Sequence, residues 1–540
     1  MSASTGTTSP RWVRDPADAL GETSLRGRLL GPAVAATRLA WIVPLAVTAL
    51  AALLRFWNLS HPHAFTFDET YYIKDAYTLL ESGYERSWPD EANDAFIAGS
   101  PAPNDDAAYV VHPPLGKWLI GLGMLVFGWD NGLGWRSAGA LAGTLSVLLL
   151  ALAAQRLFRS PVLGGLAGLL SAVDGHHLVM SRTALLDIFQ MFFLLAAFYL
   201  LLVDRDDGRR RLAQRLAAAV GGGAPDAPRT RDALLYGPWL AWRPWRLAAG
   251  ILLGAAAGVK WSSLSFIAVF GLMTVLWDVS ARRAAGIRRW FTAGILRDGV
   301  PAFLTMIPAA VAVYVATWSG WLATSGGYHR DWASQHPEQA WPLVPGPLRS
   351  LIDYHRSAYS FHQGLSSDHS WESGPWTWLF AGRPVLFYYE GVESGEPGCA
   401  AASCSAVITD LPNPVLWWAA SLSACVVLLF WAGRRDWRAG AILSGLLAGF
   451  VPWFLYPERT MFFFYTISFH PFMVLALTYA LGLVLGRRDA PPERRRAGVV
   501  AVAVFLFTVV ALSAFFWPVW TGETIPYEQW RLRIWMPSWA

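Results

Sequence analysis

Lysine is nearly missing from this chain. Of 43 basic residues in 540, only Lys74, Lys117 and Lys260 are lysine; the others are arginine. A GC-rich genome produces such a bias, yet a compact ammonium and a planar guanidinium are different ligands, so the three retained lysines mark positions to follow. Charge of either sign is also scarce, at 15% of residues, against about 25% in soluble domains. The net charge of +5 sits in short clusters between apolar runs, which is an orientation signal and excludes a nucleic-acid-binding surface. Three cysteines allow at most one disulfide. Cys425 lies in an apolar run and reads as a small core residue, while Cys399 and Cys404 lie in a segment placed outside the cell, where an oxidised pair is chemically reasonable. No repeat of fixed period is present.

What fills the chain instead is apolar and aromatic. Apolar residues make up 54%, with 30 Trp and 17 Tyr, and mean hydropathy is +0.34. This is a polytopic, all-α membrane protein with two water–lipid interfaces to line. A helix needs about 17–25 apolar residues to cross a bilayer. Spans are predicted near 39–57, 134–157, 161–176, 186–203, 245–260, 261–278, 299–317, 413–432, 439–456, 461–485 and 497–517. The stretch from Leu115 to Gly128 is too short, follows Pro113-Pro114 and contains Lys117, so it is expected to be interfacial. Leaving it out puts the clusters Arg205–Arg215, Arg282–Arg289, Arg434–Arg438 and Arg487–Arg496 on the side of the basic N-terminus. The positive-inside rule then predicts eleven spans, a cytoplasmic tail over 1–38, an uncleaved first anchor and an outer C-terminal tail over 518–540. A membrane module over 39–317, an outer loop over 318–412 and a second module over 413–517 complete the organisation, with a Gly/Pro-rich linker from Gly221 to Thr230.

The outer loops gather the residues able to do chemistry. The first, 58–133, opens with Phe67-Asp68-Glu69-Thr70-Tyr71-Tyr72. Two adjacent acids beside a membrane have a partner or a task, or else favour the N-terminus of the helix that follows. Further on lie His112-Pro113-Pro114-Leu115-Gly116-Lys117 and Arg136. Other outer turns carry Asp174-Gly175-His176-His177, Arg182 with Asp187, Lys260 and Arg459. Singly, each is an ordinary membrane-edge charge, a turn histidine or a snorkelling cation. Together they suit an anionic lipid phosphate.

These segments resemble the protein O-mannosyltransferases. The resemblance rests on Phe67-Asp68-Glu69, the run from His112 to Lys117, Ser181-Arg182-Thr-Ala-Leu-Leu-Asp187 and Gly258-Val-Lys-Trp-Ser262. Trp318-Ser-Gly-Trp321, Ser373-Gly-Pro-Trp-Thr-Trp378, Arg383-Pro-Val-Leu-Phe-Tyr-Tyr389 and Asn413-Pro-Val-Leu-Trp-Trp418 extend it. Leu411-Pro412 departs from the glycine expected before Asn413. The resemblance implies the GT-C glycosyltransferase fold, with interfacial helices in the first outer loop. The later loop is too short for the β-trefoil insert of eukaryotic members, and the arginine bias points to an actinobacterial one.

It further implies transfer of mannose, with inversion, from polyprenyl-phosphate mannose to Ser or Thr of exported proteins at the outer face of the plasma membrane. A second reading is another GT-C transferase acting on a lipid or glycan acceptor; a transporter would instead place its charges at mid-membrane. Asp68 is the expected base and Glu69 its partner. Arg136 is the first choice for the donor phosphate, followed by His112, Lys117, Arg182 and Lys260. Asp187, Asp174, Arg459 and Tyr72 are further site candidates. No metal or other cofactor is expected, since no compact ligand motif occurs, although some GT-C enzymes use a divalent cation. Expected partners are the donor lipid, membrane lipids and exported acceptors, delivered by the secretion translocon.

Overall fold

Long apolar runs fix the architecture. The structure is a computed structural model that describes all residues except 1–20, 32–36, 222–226, 241, 340, 342 and 488. Most of the N-terminal tail and the centre of the Gly/Pro-rich linker therefore lie outside the described residues. Eight described helices are long and apolar enough to cross a membrane. They are α1 (Leu39–Phe56), α4 (Gly132–Phe158), α7 (Asp187–Gly221), α9 (Ser263–Ala284), α10 (Trp290–Thr317), α12 (Pro414–Arg434), α13 (Trp437–Leu455) and α15 (Pro492–Phe516). The pair α5 (Pro161–Val173) and α6 (Gly175–Arg182) makes a ninth if counted as one span bent by 61°.

The expected eleven is thus too many by length. The runs at 245–260 and 461–485 form only the shorter helices α8 (Pro244–Ala257) and α14 (His470–Leu485). In the second run Pro471 starts the α-helix, and Phe463–Ser468 before it winds as a 3-10 segment. The Leu115 stretch is a helix of the same short class, α3 (Leu115–Phe127). The α5–α6 break has a local cause. Asp174 caps α6 through His177 N–H at 3.2 Å, and a Cβ on Gly175 would lie 2.0 Å from the Trp520 ring, so only glycine lets that ring in.

The chain forms two compact units. The smaller comprises 1–36, 200–249 and 271–308. Its described core joins Leu25, Leu29, Leu212, Leu216, Leu240 and Ile287. Arg243 and Arg246 both pair with Asp204 and Asp278 at 2.5–3.3 Å, so the buried charges there are mutually neutralised.

The larger unit comprises 37–199, 250–270 and 309–540 and holds every site candidate. It contains α2 (Glu69–Ser82) and α11 (Gly346–Gly364). It also contains a small antiparallel sheet that the helical reading did not anticipate: β1 (Val385–Glu393), β2 (Ser403–Asp410) and β3 (Thr524–Pro526), in that order. Cys399 and Cys404 are disulfide-bonded at its turn, and Cys425 is exposed on α12.

Candidate active site

The acidic pair divides its labour. Glu69, fully buried, is sewn into the frame. Its carboxylate accepts from Thr66 N–H at 2.9 Å, Ala184 N–H at 2.8 Å, and Arg136 Nε and Nη2 at 2.8 Å each. Asp68 is only half-buried. Its backbone is aimed by Phe67, which sits at φ +47°, a conformation costly for a bulky residue. Phe67 is held there by stacking on Phe387 at 5.0 Å and by edge contacts to His369, Phe462 and Phe464. Burial lifts the Asp68 carboxyl to about 6, with Lys260 pulling it down, Asp187 pushing it up and the Tyr72 hydroxyl, one helical turn on, pulling it down.

Lys260 and Asp187, the two charged groups that act on the Asp68 carboxyl, line a cavity of about 300 Å³ whose wall does not include Asp68 or Glu69. Polar groups on its wall include His112, Asp187, Gln190, Lys260, His362 and Arg459; Leu264, Phe266, Pro452 and Trp453 supply apolar wall. Several elements set these groups. Lys260, after α8, pairs with Asp187 at the start of α7 at 2.7 Å and lies 5.7 and 5.5 Å from the Phe464 and Tyr465 rings. Leu115 N–H donates to Gly258 O at 3.0 Å, which ties the His112 turn to the Lys260 turn. Gly116 allows the close fit, since a Cβ there would meet Leu186 Cδ2 at 2.7 Å. Arg459 donates through Nε to His362 O at 3.2 Å, while its buried Nη1 has no hydrogen-bond partner among the described residues.

Burial, reinforced by Lys260 and other nearby cations, holds His112 well below the usual imidazole range. Burial likewise takes His362 to about 4, partly offset by its bond to Val111 O. Both rings are therefore neutral at pH 7. The positive charge of the cavity wall comes from Lys260 and Arg459.

The other sequence candidates are occupied elsewhere. All five N–H groups of Arg136 are used: beyond Glu69 it donates to the carbonyls of Leu59, Pro62 and Ala64. It has no donor left for a phosphate. Arg182 caps the end of α1 through the carbonyls of Leu54, Arg55, Trp57 and Asn58. Lys117 pairs with Glu85, and with Asp75 at 3.5 Å. Asp174 caps α6, accepts from Asn413 N–H at 2.9 Å and lies 3.2 Å from His470 Nε2. Sequence reasoning had passed over His362 and Tyr465. The only signal for His362 was a histidine on an amphipathic outer helix.

Profiles of two segments of one family match this chain. Residues 45–223 match "Dolichyl-phosphate-mannose-protein mannosyltransferase", and residues 347–539 match the "C-terminal four TMM region of protein-O-mannosyltransferase". A polyprenol-phosphate-mannose–protein mannosyltransferase of Mycolicibacterium smegmatis is 39% identical over 513 residues, covering 92% of this chain and 93% of that protein. The chain belongs to the protein O-mannosyltransferase family. Actinobacterial members of that family recur among its relatives: proteins of the same name from Mycobacterium tuberculosis and Corynebacterium glutamicum are 38% and 32% identical, over 92% and 91% of this chain and 92% of each of them. The structure of the Saccharomyces cerevisiae protein O-mannosyltransferase Pmt1–Pmt2 complex bound to the sugar donor shares the fold. Its TM-score is 0.66 at 15% identity, covering 98% of this chain and 95% of that one.

Proposed function

We propose that this chain transfers mannose from polyprenyl-phosphate mannose to a Ser or Thr hydroxyl of an exported polypeptide, at the outer face of the plasma membrane. The observation that carries the reading is a cavity whose wall includes Lys260 and Arg459, the former acting electrostatically on an Asp68 carboxyl tuned to about 6, in a chain of this family. The acceptor oxygen attacks the anomeric carbon from the Asp68 side, and Asp68 takes the hydroxyl proton. The bond from that carbon to the phosphate oxygen breaks, and polyprenyl phosphate leaves as a phosphomonoester. One displacement inverts the centre.

The leaving phosphate gains charge, so fixed cations facing it lower the barrier. Lys260 and Arg459 take that role, with the neutral His112 and His362 rings as hydrogen-bonding neighbours. Asp187 and Tyr72 position Lys260 and Asp68. Glu69 and Arg136 act as positioning residues that hold the loop. The apolar wall accepts the first isoprene units. The reaction is proposed to run without a metal, the leaving phosphate being met by the fixed cations. The N-terminus is assigned to the cytoplasm, and the acceptor arrives unfolded from the secretion translocon.

The test is a membrane assay with labelled polyprenyl-phosphate mannose and a Ser/Thr peptide. Label on the peptide hydroxyl, with chelator present, is expected. Label confined to lipid or glycan would overturn the protein acceptor.

A further inference from the structure

The outer edge of β1 is open, and it leads to Asp68. In the order β1-β2-β3 this strand is at the margin, with its inner side paired to β2 from Val385↔Asp410 to Glu393↔Ser403. Tyr389, Glu390, Gly391 and Glu393 are exposed. Among the described residues, one backbone hydrogen bond reaches β1 from outside the sheet and its own turn: Phe67 N–H to Phe387 O, at 3.0 Å. That bond falls where the register shifts between Leu386 and Tyr388, a bulge that frees a backbone group from the ladder and re-aims it. Phe67 immediately precedes Asp68. The open edge, residues 388–393, therefore begins next to the point where the Phe67 backbone joins β1, one residue before the Asp68 assigned as base.

We propose that this edge receives the acceptor as an added β-strand, an extended Ser/Thr-bearing segment of neutral or basic composition. The proposal rests on the transferase reading above and specifies how its polypeptide substrate is held. Exported acceptors of different sequence share a main chain, and strand addition reads N–H and C=O groups while leaving side chains largely free. Alternate side chains of the added strand face opposite ways, so one Ser or Thr can be turned to Asp68 while its neighbours face the Tyr389–Trp530 ring pair, 5.8 Å apart. A folded acceptor has its backbone groups already paired, so the mode selects unfolded chain. Glu390, Glu393 and Glu396 are exposed along the strand and its turn. They disfavour acidic segments, and they discourage a second copy of the same edge from pairing here.

The experiment uses the full chain in lipid nanodiscs, polyprenyl-phosphate mannose and a peptide with one Ser, scanned by single backbone N-methylation. Each lost backbone bond should raise the peptide KM roughly three- to tenfold, at alternate positions only, with kcat retained. Uniform or absent sensitivity, with the unmodified peptide still mannosylated, overturns strand addition and leaves the transferase reading intact. An unmodified peptide that takes no mannose overturns the transferase reading and this one with it. As a second measurement, Gly391→Cys in a Cys425→Ser background is oxidised with peptides carrying one cysteine. Cross-links at alternate peptide positions are expected. A disulfide between two copies of the chain in place of a peptide adduct would put a second copy on this edge and overturn the proposal.

Discussion

Asp68 is held in place by a residue that would rather be elsewhere. Phe67 keeps its φ of +47° because Phe387, Phe462 and Phe464 clamp its ring. Phe67→Gly removes the backbone cost and the clamp together. It should leave Tm near that of the parent while lowering kcat roughly 10–100-fold through a misplaced carboxylate; an unchanged kcat would show that the clamp does not aim Asp68. Asp68→Asn should lose about 10²–10⁴-fold in rate. With the carboxyl near 6, a general base at Asp68 would work only when ionised. Transfer should therefore rise with pH through about 6 and level off above it, a limb checked by kcat against pH and absent from the residual activity of Asp68→Asn. The two arginines separate in the same way. Arg136→Ala strands Glu69 without its buried partner and should cost about 3–5 kcal/mol of stability, read as loss of folded protein. Arg459→Ala should keep Tm and lower kcat/KM for the donor roughly 10–100-fold, the worth of a charge-assisted hydrogen bond. Spacing in the sequence could not tell these arginines apart. Arg136, Arg182 and Arg459 all sit at membrane edges, and only the fold decides whether a guanidinium meets a carboxylate, a row of carbonyls or an open cavity.

At the scale of elements, the places of the apolar runs were readable, but neither their helical length at α8 and α14 nor their winding was. Each predicted span has its helix, but a hydropathy sum cannot see that Pro471 delays α14 until after a 3-10 stretch. The sheet was missed although its strands carry β-branched and aromatic runs around a Gly-rich turn, because β1 and β2 lie in a loop judged by motif alone. That 3-10 stretch matters to the site. It carries Phe464 and Tyr465 beside Lys260, and Thr466 within it meets His176 Nε2 at 3.0 Å, while His176 Nδ1 lies 2.7 Å from Asp410 at the end of β2. Thr466→Val leaves a buried ring nitrogen without a partner, at a cost of about 1–3 kcal/mol. A lower Tm with a raised donor KM is expected. A Tm drop with donor KM unchanged would separate the segment from the cavity.

For the whole molecule, the arginine clusters predict sidedness, and topology reporters test it. Fusions at Gly286 and Asp436 should report cytoplasm, and fusions at Asn104 and Ser366 the outer face; an external signal at Asp436 would refute the arginine-based orientation. The positive-inside rule uses loop charge alone, so it yields an expected orientation and carries no information on how distant segments pair. One such pairing governs how the enzyme comes into being. β2 acquires its second neighbour, β3, only from residues that follow α15: Cys404, Ser405 and Ala406 pair with Pro526, Ile525 and Thr524. During biosynthesis the sheet therefore stays unfinished until α15 and the residues just beyond it have been made. A chain stalled or clipped before Thr524 would leave a raw β2 edge open to pairing and proteolysis. The same contact thus ties completion of the sheet to synthesis of the segment that follows α15.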